Sequence, residues 1–246
     1  MNVTNDELFE IEQPLPAWAK KPIAVFDLET TGLDHKTSRI VTACAALLNP
    51  DGSMNGADVA WLANPGVEIP AEATAVHGIT TEMATNQGAE LRVVVSEICA
   101  TLSSYFAQGI PVVAYNAPYD FTILRQHAED FGIDWPDNPG PILDPLLLDK
   151  KLVQFRKGKR RLEIVAGHYN VKLNDAHNAT ADAVAAGHIA QAMAAQFPTQ
   201  LDVPLEELHA SQAAWSVEQD ESFAKFMRGI NPDFKATFGW PEKPRA

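Results

Sequence analysis

Two carboxylates spaced two residues apart close the apolar run of "AVFDLETTG" (residues 24–32), where a buried strand ordinarily excludes charge. Side chains two apart on a strand leave the same face, so Asp27 and Glu29 point the same way. At that separation two anions repel each other unless a cation lies between them. Hard divalent ions such as Mg²⁺ or Mn²⁺ choose carboxylate oxygens, which makes metal binding one chemistry open to the pair. A bare D-x-E at a strand terminus is more often two acids reaching water, so the rest of the chain must decide.

Further along, "YNAPYDFTIL" (115–124) repeats the device: an apolar strand runs into a short turn, and Asp120 appears at the start of a helix. As a lone feature it reads equally as a helix cap. "HNATAD" (177–182) brings a third acidic position, Asp182, near the beginning of a helix whose stripe continues through Ala186, Ile189 and Met193. An acid there interrupts an apolar face, although first-turn pairing with the helix dipole is its simpler reading. His177 lies five residues earlier in an Asn-rich turn. A side chain with an unperturbed pKa of about 6.5 can accept a proton near neutral pH.

The elements that would position these groups follow from periodicity and punctuation. Short apolar runs at 22–29, 39–49 and 59–65, with a turn at 50–52, predict three antiparallel strands. Leu91, Val94, Val95, Ile98, Leu102 and Phe106 recur at helical spacing and predict a helix over 88–106. A strand at 111–115, a helix at 119–131, a strand and helical turn within 141–152, and helices at 161–169 and 179–197 complete the pattern. Three strands followed by alternating helix and strand predict an α/β fold: a mixed sheet with an antiparallel three-strand meander, flanked by helices. Residues 1–21 read as a loose leader, 22–197 as the domain, and 198–246 as a C-terminal extension, helical in its first part. Trp215, Phe223, Phe226, Phe234, Phe238 and Trp240 are too many aromatics for a disordered segment, so the extension is expected to pack on the domain.

Composition narrows the class. The chain of 246 residues is 46% hydrophobic, enough for a full core. Its first sixteen residues are acidic and broken by prolines, which predicts no signal peptide, and no apolar run reaches the roughly 20 residues of a membrane span. Cys44 and Cys99 both sit in apolar contexts and read as buried thiols, excluding a thiolate zinc site. A cytoplasmic protein is the expectation. The net charge of −13 argues against nucleic acid only if it is evenly spread. Residues 150–172 hold eight Lys/Arg against the single acid Glu163, centred on "RKGKRR" (156–161). A solvated loop explains such a run as well as a polyanion site does.

In combination these motifs resemble the DEDD exonuclease superfamily, the group of the proofreading subunit of bacterial replicative DNA polymerase. "FDLETTGLD" resembles its first motif, "YNAPYDFTIL" its second and "HNATAD" its third, with the H-x₄-D spacing of the histidine (DEDDh) branch; "VHGIT" (76–80) adds to the likeness. The resemblance covers roughly residues 22–197. It implies a ribonuclease H-like fold and 3′→5′ release of nucleoside monophosphates from nucleic-acid ends, single-stranded or frayed DNA before RNA. It also implies two Mg²⁺ or Mn²⁺ ions held by Asp27, Glu29, Asp120 and Asp182, with His177 as general base. Two such ions about 3.5–4 Å apart can clamp a phosphodiester. Thr30, Thr31 and Leu33 match positions around the terminal nucleotide, and His77 and Asn116 match positions along the substrate groove. Leu33 is equally readable as a core leucine, and Tyr119 reads as packing. Tyr115 departs from the family, which commonly carries His before the Asn. A DNA polymerase partner is a further implication. The rival readings are an RNA-trimming or oligoribonucleotide-degrading enzyme of the same fold, and a non-catalytic nucleic-acid-binding or polymerase-docking module.

Overall fold

The computed structural model of the chain describes residues 14–173 and 178–245. Strands β1 (Ile23–Thr30), β2 (Ile40–Leu48) and β3 (Val59–Asn64) form the antiparallel meander expected from the three apolar runs. Two short helices follow, α1 (Ala71–His77) and α2 (Thr81–Gln87), then the two-residue β4 (Ala89–Glu90) and α3 (Leu91–Ala107). The chain continues through β5 (Val112–Val113), α4 (Ala117–Phe131), β6 (Ile142–Leu143), α5 (Pro145–Leu152) and α6 (Leu162–His168). Helices α7 (Ala179–Gln196), α8 (Pro198–Leu201) and α9 (Leu205–Arg228) end it. The six-stranded sheet has the order β4-β3-β2-β1-β5-β6, with β5 parallel to β1 and β6 parallel to β5. Its mixed character and flanking helices are those predicted from the pattern.

Strand alternation divides the core into two layers. Ala24, Phe26 and Leu28 face α3 and α4, while Ile23 and Val25 face α7 with Ala46, Leu48, Ala186, Ile189 and Met193. Asp27 and Glu29 continue the second face, so the acids lie on the α7 side at the carboxyl end of the central strand. The Ala-rich sequence of α7 permits an unusually close approach. A Cβ on Gly187 would stand 2.5 Å from Val25 Cγ1 and 2.6 Å from Leu48 Cδ1. Only a residue without a side chain fits there, and that proximity carries the first turn of α7 over the acids.

Helices α1 and α2 were not anticipated. Each is seven residues long, and α1 buries none of its side chains, so neither imprints an apolar stripe on the sequence. Within the segment read as a loose leader, residues 17–20 form a 3₁₀ turn; Trp18 is buried, and its Nε1 donates to the Leu201 carbonyl. That part of the segment is therefore core. At the far end, α9 covers the edge strand β6: Gln212 accepts from the Asp144 amide and donates to the Ile142 carbonyl, while His209 Nδ1 accepts from the Ile142 amide. Trp240 packs into the α3–α4 layer. No helix among the described residues is long and apolar enough to cross a membrane.

Candidate active site

Asp27 and Glu29 on β1 and Asp182 on α7 place one carboxylate oxygen each within 4.8 Å of the others. The local causes are separable. A bulge in the β1–β2 ladder falls just after Glu29: Glu29 pairs with Thr42 and Thr30 with Ile40, leaving Val41 unmatched. Bulges bend the strand that carries the extra residue, here β2, and this one interrupts regular pairing opposite the acid-bearing end of β1. On α7, the Asn178 side chain caps the amides of Thr180 and Ala181, fixing the first turn on which Asp182 sits.

Asp120 lies outside this trio but next to it. It is 2% exposed, and its Oδ1 accepts from the Leu28 amide of β1, between the two acids of the strand. Asp144, which the sequence motifs did not single out, sets the start of α4. Its buried carboxylate accepts from the amides of Asn116, Ala117, Leu146 and Leu147, joining the N-termini of α4 and α5. Asn116 is left-handed (φ 65°), a conformation Asn tolerates better than most residues, and it leaves its side chain uninvolved in capping. The signal for Asp144 was present in "LDP", an Asp before Pro at a helix start, but a cap alone does not announce which helix it serves.

The electrostatics are those of a site built for a cation. Burial raises Asp27 well above the ordinary carboxylate range, with Asp120, Glu29 and Asp182 adding to it. Burial, aided by Asp182, pushes Glu29 to about 7. Asp120 is also raised, by burial first, with the Leu28 amide opposing. An all-oxygen, acid-only donor set that strains against its own charge fits a hard divalent ion. Burial also pushes the Cys44 thiol up to about 11.

Glu29 also borders a cleft of about 580 Å³ lined by Thr30, Thr31, Leu33, His77, Asn116 and Tyr119, with Pro70, Glu72, Ala73 and Val76 of the α1 region opposite. All five residues matched to nucleotide contact by motif thus line one cavity. Leu33 is 91% exposed at its lip, which removes the core reading. Thr31 pairs with Arg39 through its amide and hydroxyl, holding the turn after β1. His77 accepts from the Ile79 amide through Nδ1, and burial lowers its pKa, so it faces the cleft neutral. Tyr119 packs against the core as the sequence reading has it, and in addition its hydroxyl, Thr30 Oγ1 and the Gly32 carbonyl form one hydrogen-bonded trio beside the cleft. His177 falls in 174–177, outside the described residues.

A ribonuclease H-like sheet whose central strand ends in acids beside a nucleotide-sized cleft defines a nuclease scaffold. A model of the exonuclease family (RNase_T) matches residues 24–190, and the chain belongs to this family. It is 38% identical over 130 residues to a DNA polymerase III subunit epsilon-like protein of Rhodobacter capsulatus, covering 52% of this chain and 17% of that one. It is 27% identical over 179 residues to a PolC-type DNA polymerase III of Clostridium perfringens, covering 73% and 12%. An uncharacterized exonuclease, CP81, of Escherichia phage 186 is 34% identical over 134 residues, covering 54% and 61%. The chain therefore spans less than a fifth of the first two relatives. Among solved structures, exonuclease I superposes with a TM-score of 0.64 at 18% identity, covering 74% of this chain and 42% of that one. E. coli exonuclease I in complex with a dT13 oligonucleotide gives 0.62 at 19%, covering 74% and 43%.

Proposed function

We propose that the chain is a metal-dependent 3′→5′ exonuclease that releases nucleoside monophosphates from single-stranded or frayed DNA ends. The observation carrying this reading is the junction of two features at Glu29: a trio of carboxylate oxygens within 4.8 Å, and the cleft that starts beside it. Asp27, Glu29 and Asp182, with Asp120 adjoining, would hold two Mg²⁺ or Mn²⁺ ions. When bound, such ions supply charge neutralisation at a scissile phosphate and a more acidic water.

The protein's own residues divide the remaining work. Leu33 offers an exposed apolar edge against the terminal base, while the Thr30–Tyr119–Gly32 trio stiffens the wall that meets the sugar. Neutral His77 and the uncapped Asn116 side chain provide polar contacts along the cleft. His177 accepts the proton of the attacking water, a transfer that contributes about 10²–10⁴-fold. The epsilon-like and PolC-type names among the relatives, and the oligonucleotide held by exonuclease I, support a nucleic-acid substrate and a polymerase partner.

Purified protein with Mg²⁺ or Mn²⁺ and 5′-labelled single strands of DNA and RNA tests the proposal beside Asp182→Asn. Stepwise shortening from the 3′ end, faster on DNA and abolished by chelator and by the substitution, is the expected result. Shortening from the 5′ end, internal cleavage, or activity surviving in the variant overturns it.

A further inference from the structure

The basic run at 156–161 is split by the fold into two sets. Arg156 and Arg160 point inward onto Asp149, whose side chain is fully buried and also accepts from the Tyr169 hydroxyl. Arg160 additionally donates to the carbonyls of Asp149 and Val153, tying the two ends of the loop together. The residues between and beside these anchors are exposed: Phe155, Lys157, Lys159 and Arg161. Phe155 is 94% exposed, more than any other large apolar side chain among the described residues.

Tyr115 fixes where this loop stands. Its hydroxyl donates to the Arg160 carbonyl at 2.7 Å, linking the loop to the residue next to Asn116, which lines the cleft. An aromatic ring among cations held on a rigid loop is the arrangement that binds single strands, since bases stack on the ring while phosphates meet the charges. The cleft is itself acidic through Glu29 and Glu72, on a chain of net charge −13, so a polyanion needs a local attraction to approach it.

Resting on the exonuclease reading above, we infer that the 154–161 loop is a landing site for the single strand upstream of the cleft. Phe155 is its stacking platform, Lys157, Lys159 and Arg161 are its phosphate contacts, and Tyr115 is the positioning residue that sets the loop beside the cleft.

The test uses the full chain, a 20-nucleotide single strand and a dinucleotide, which reaches only the cleft. Phe155→Ala should raise KM for the 20-mer about fivefold or more with kcat unchanged, and leave dinucleotide turnover as in wild type. The triple variant Lys157→Ala/Lys159→Ala/Arg161→Ala should lessen the slope of log affinity against log salt by about 2, at about 0.7 per lost phosphate contact. Tyr115→Phe should move KM in the same direction by a smaller factor. Equal losses on both substrates, or unchanged KM and salt slope, overturn the inference. Fluorescence anisotropy of a 5′-labelled 20-mer in Ca²⁺ reads the same variants without turnover. If the wild type cleaves nothing yet the variants lose binding, the exonuclease reading fails while the landing site stands.

Discussion

Replacing Glu29 by Gln should stabilise the metal-free protein while abolishing its activity. The folded site holds the Glu29 carboxyl at about 7 against 4.5 for the free side chain, because burial and Asp182 disfavour its charge. A group whose folded pKa is raised binds more protons folded than unfolded between those two values. Its contribution is therefore favourable below about pH 4.5 and is lost as pH rises through about 7. At pH 8 the full difference corresponds to about 3 kcal/mol, which the water reaching this half-buried group screens to about 2. Gln keeps the shape and removes the charge. For a chain of this length, thermal unfolding in chelator at pH 8 should then show E29Q melting about 4–8 °C above wild type. At pH 5 the gap should shrink to about a quarter, since the wild-type carboxyl is then protonated when folded though still largely ionised when unfolded. Adding Mg²⁺ at pH 8 should raise the wild type far more than the variant, because ligand binding to the folded state alone shifts the equilibrium. If E29Q melts at or below wild type in chelator at pH 8, the carboxylates are not held in mutual strain and the cation argument collapses.

Three further outcomes follow from particular contacts. His177→Ala should lower kcat by about 10²–10⁴-fold; a variant retaining wild-type kcat refutes the general-base assignment. Leu33→Ala removes a side chain that is 91% exposed, so urea unfolding should be unaffected while KM for single strands rises severalfold; a loss of stability instead would return Leu33 to the core. Gly187→Ala forces a methyl within 2.6 Å of Val25 and Leu48, costing about 1–3 kcal/mol in chemical denaturation, and should also weaken Mn²⁺ binding by displacing Asp182; an unperturbed protein refutes the close-packing account of α7.

The parts of the fold legible in the chain were those written in local periodicity. Strands β1 and β2 show as short continuous apolar runs because both of their faces are buried, β3 alternates, and α3 carries a period of 3.6 against one buried face, so each imprints its burial on the chain. The same logic placed Asp27 and Glu29 on one face of β1. Helices α1 and α2 escaped because two turns lying on the surface need no stripe; α2 starts at the Thr80 side chain, which caps the Met83 amide. The partners of the Tyr119 hydroxyl escaped for another reason: whether a packed tyrosine also bonds beside a cleft depends on which groups face it, here Thr30 and Gly32, some 87–89 residues away.

Sequence alone determined which groups are available and in what order they meet a strand end or a helix start, because those placements depend on near neighbours in the chain. It could not say how closely α7 would approach β1, which depends on small side chains on two facing surfaces at once. Nor could it sort the cations of "RKGKRR" into two buried against Asp149 and three left to solvent. Both outcomes were decided by the tertiary structure, since whether a charge is paired or free depends on what the rest of the chain brings to it.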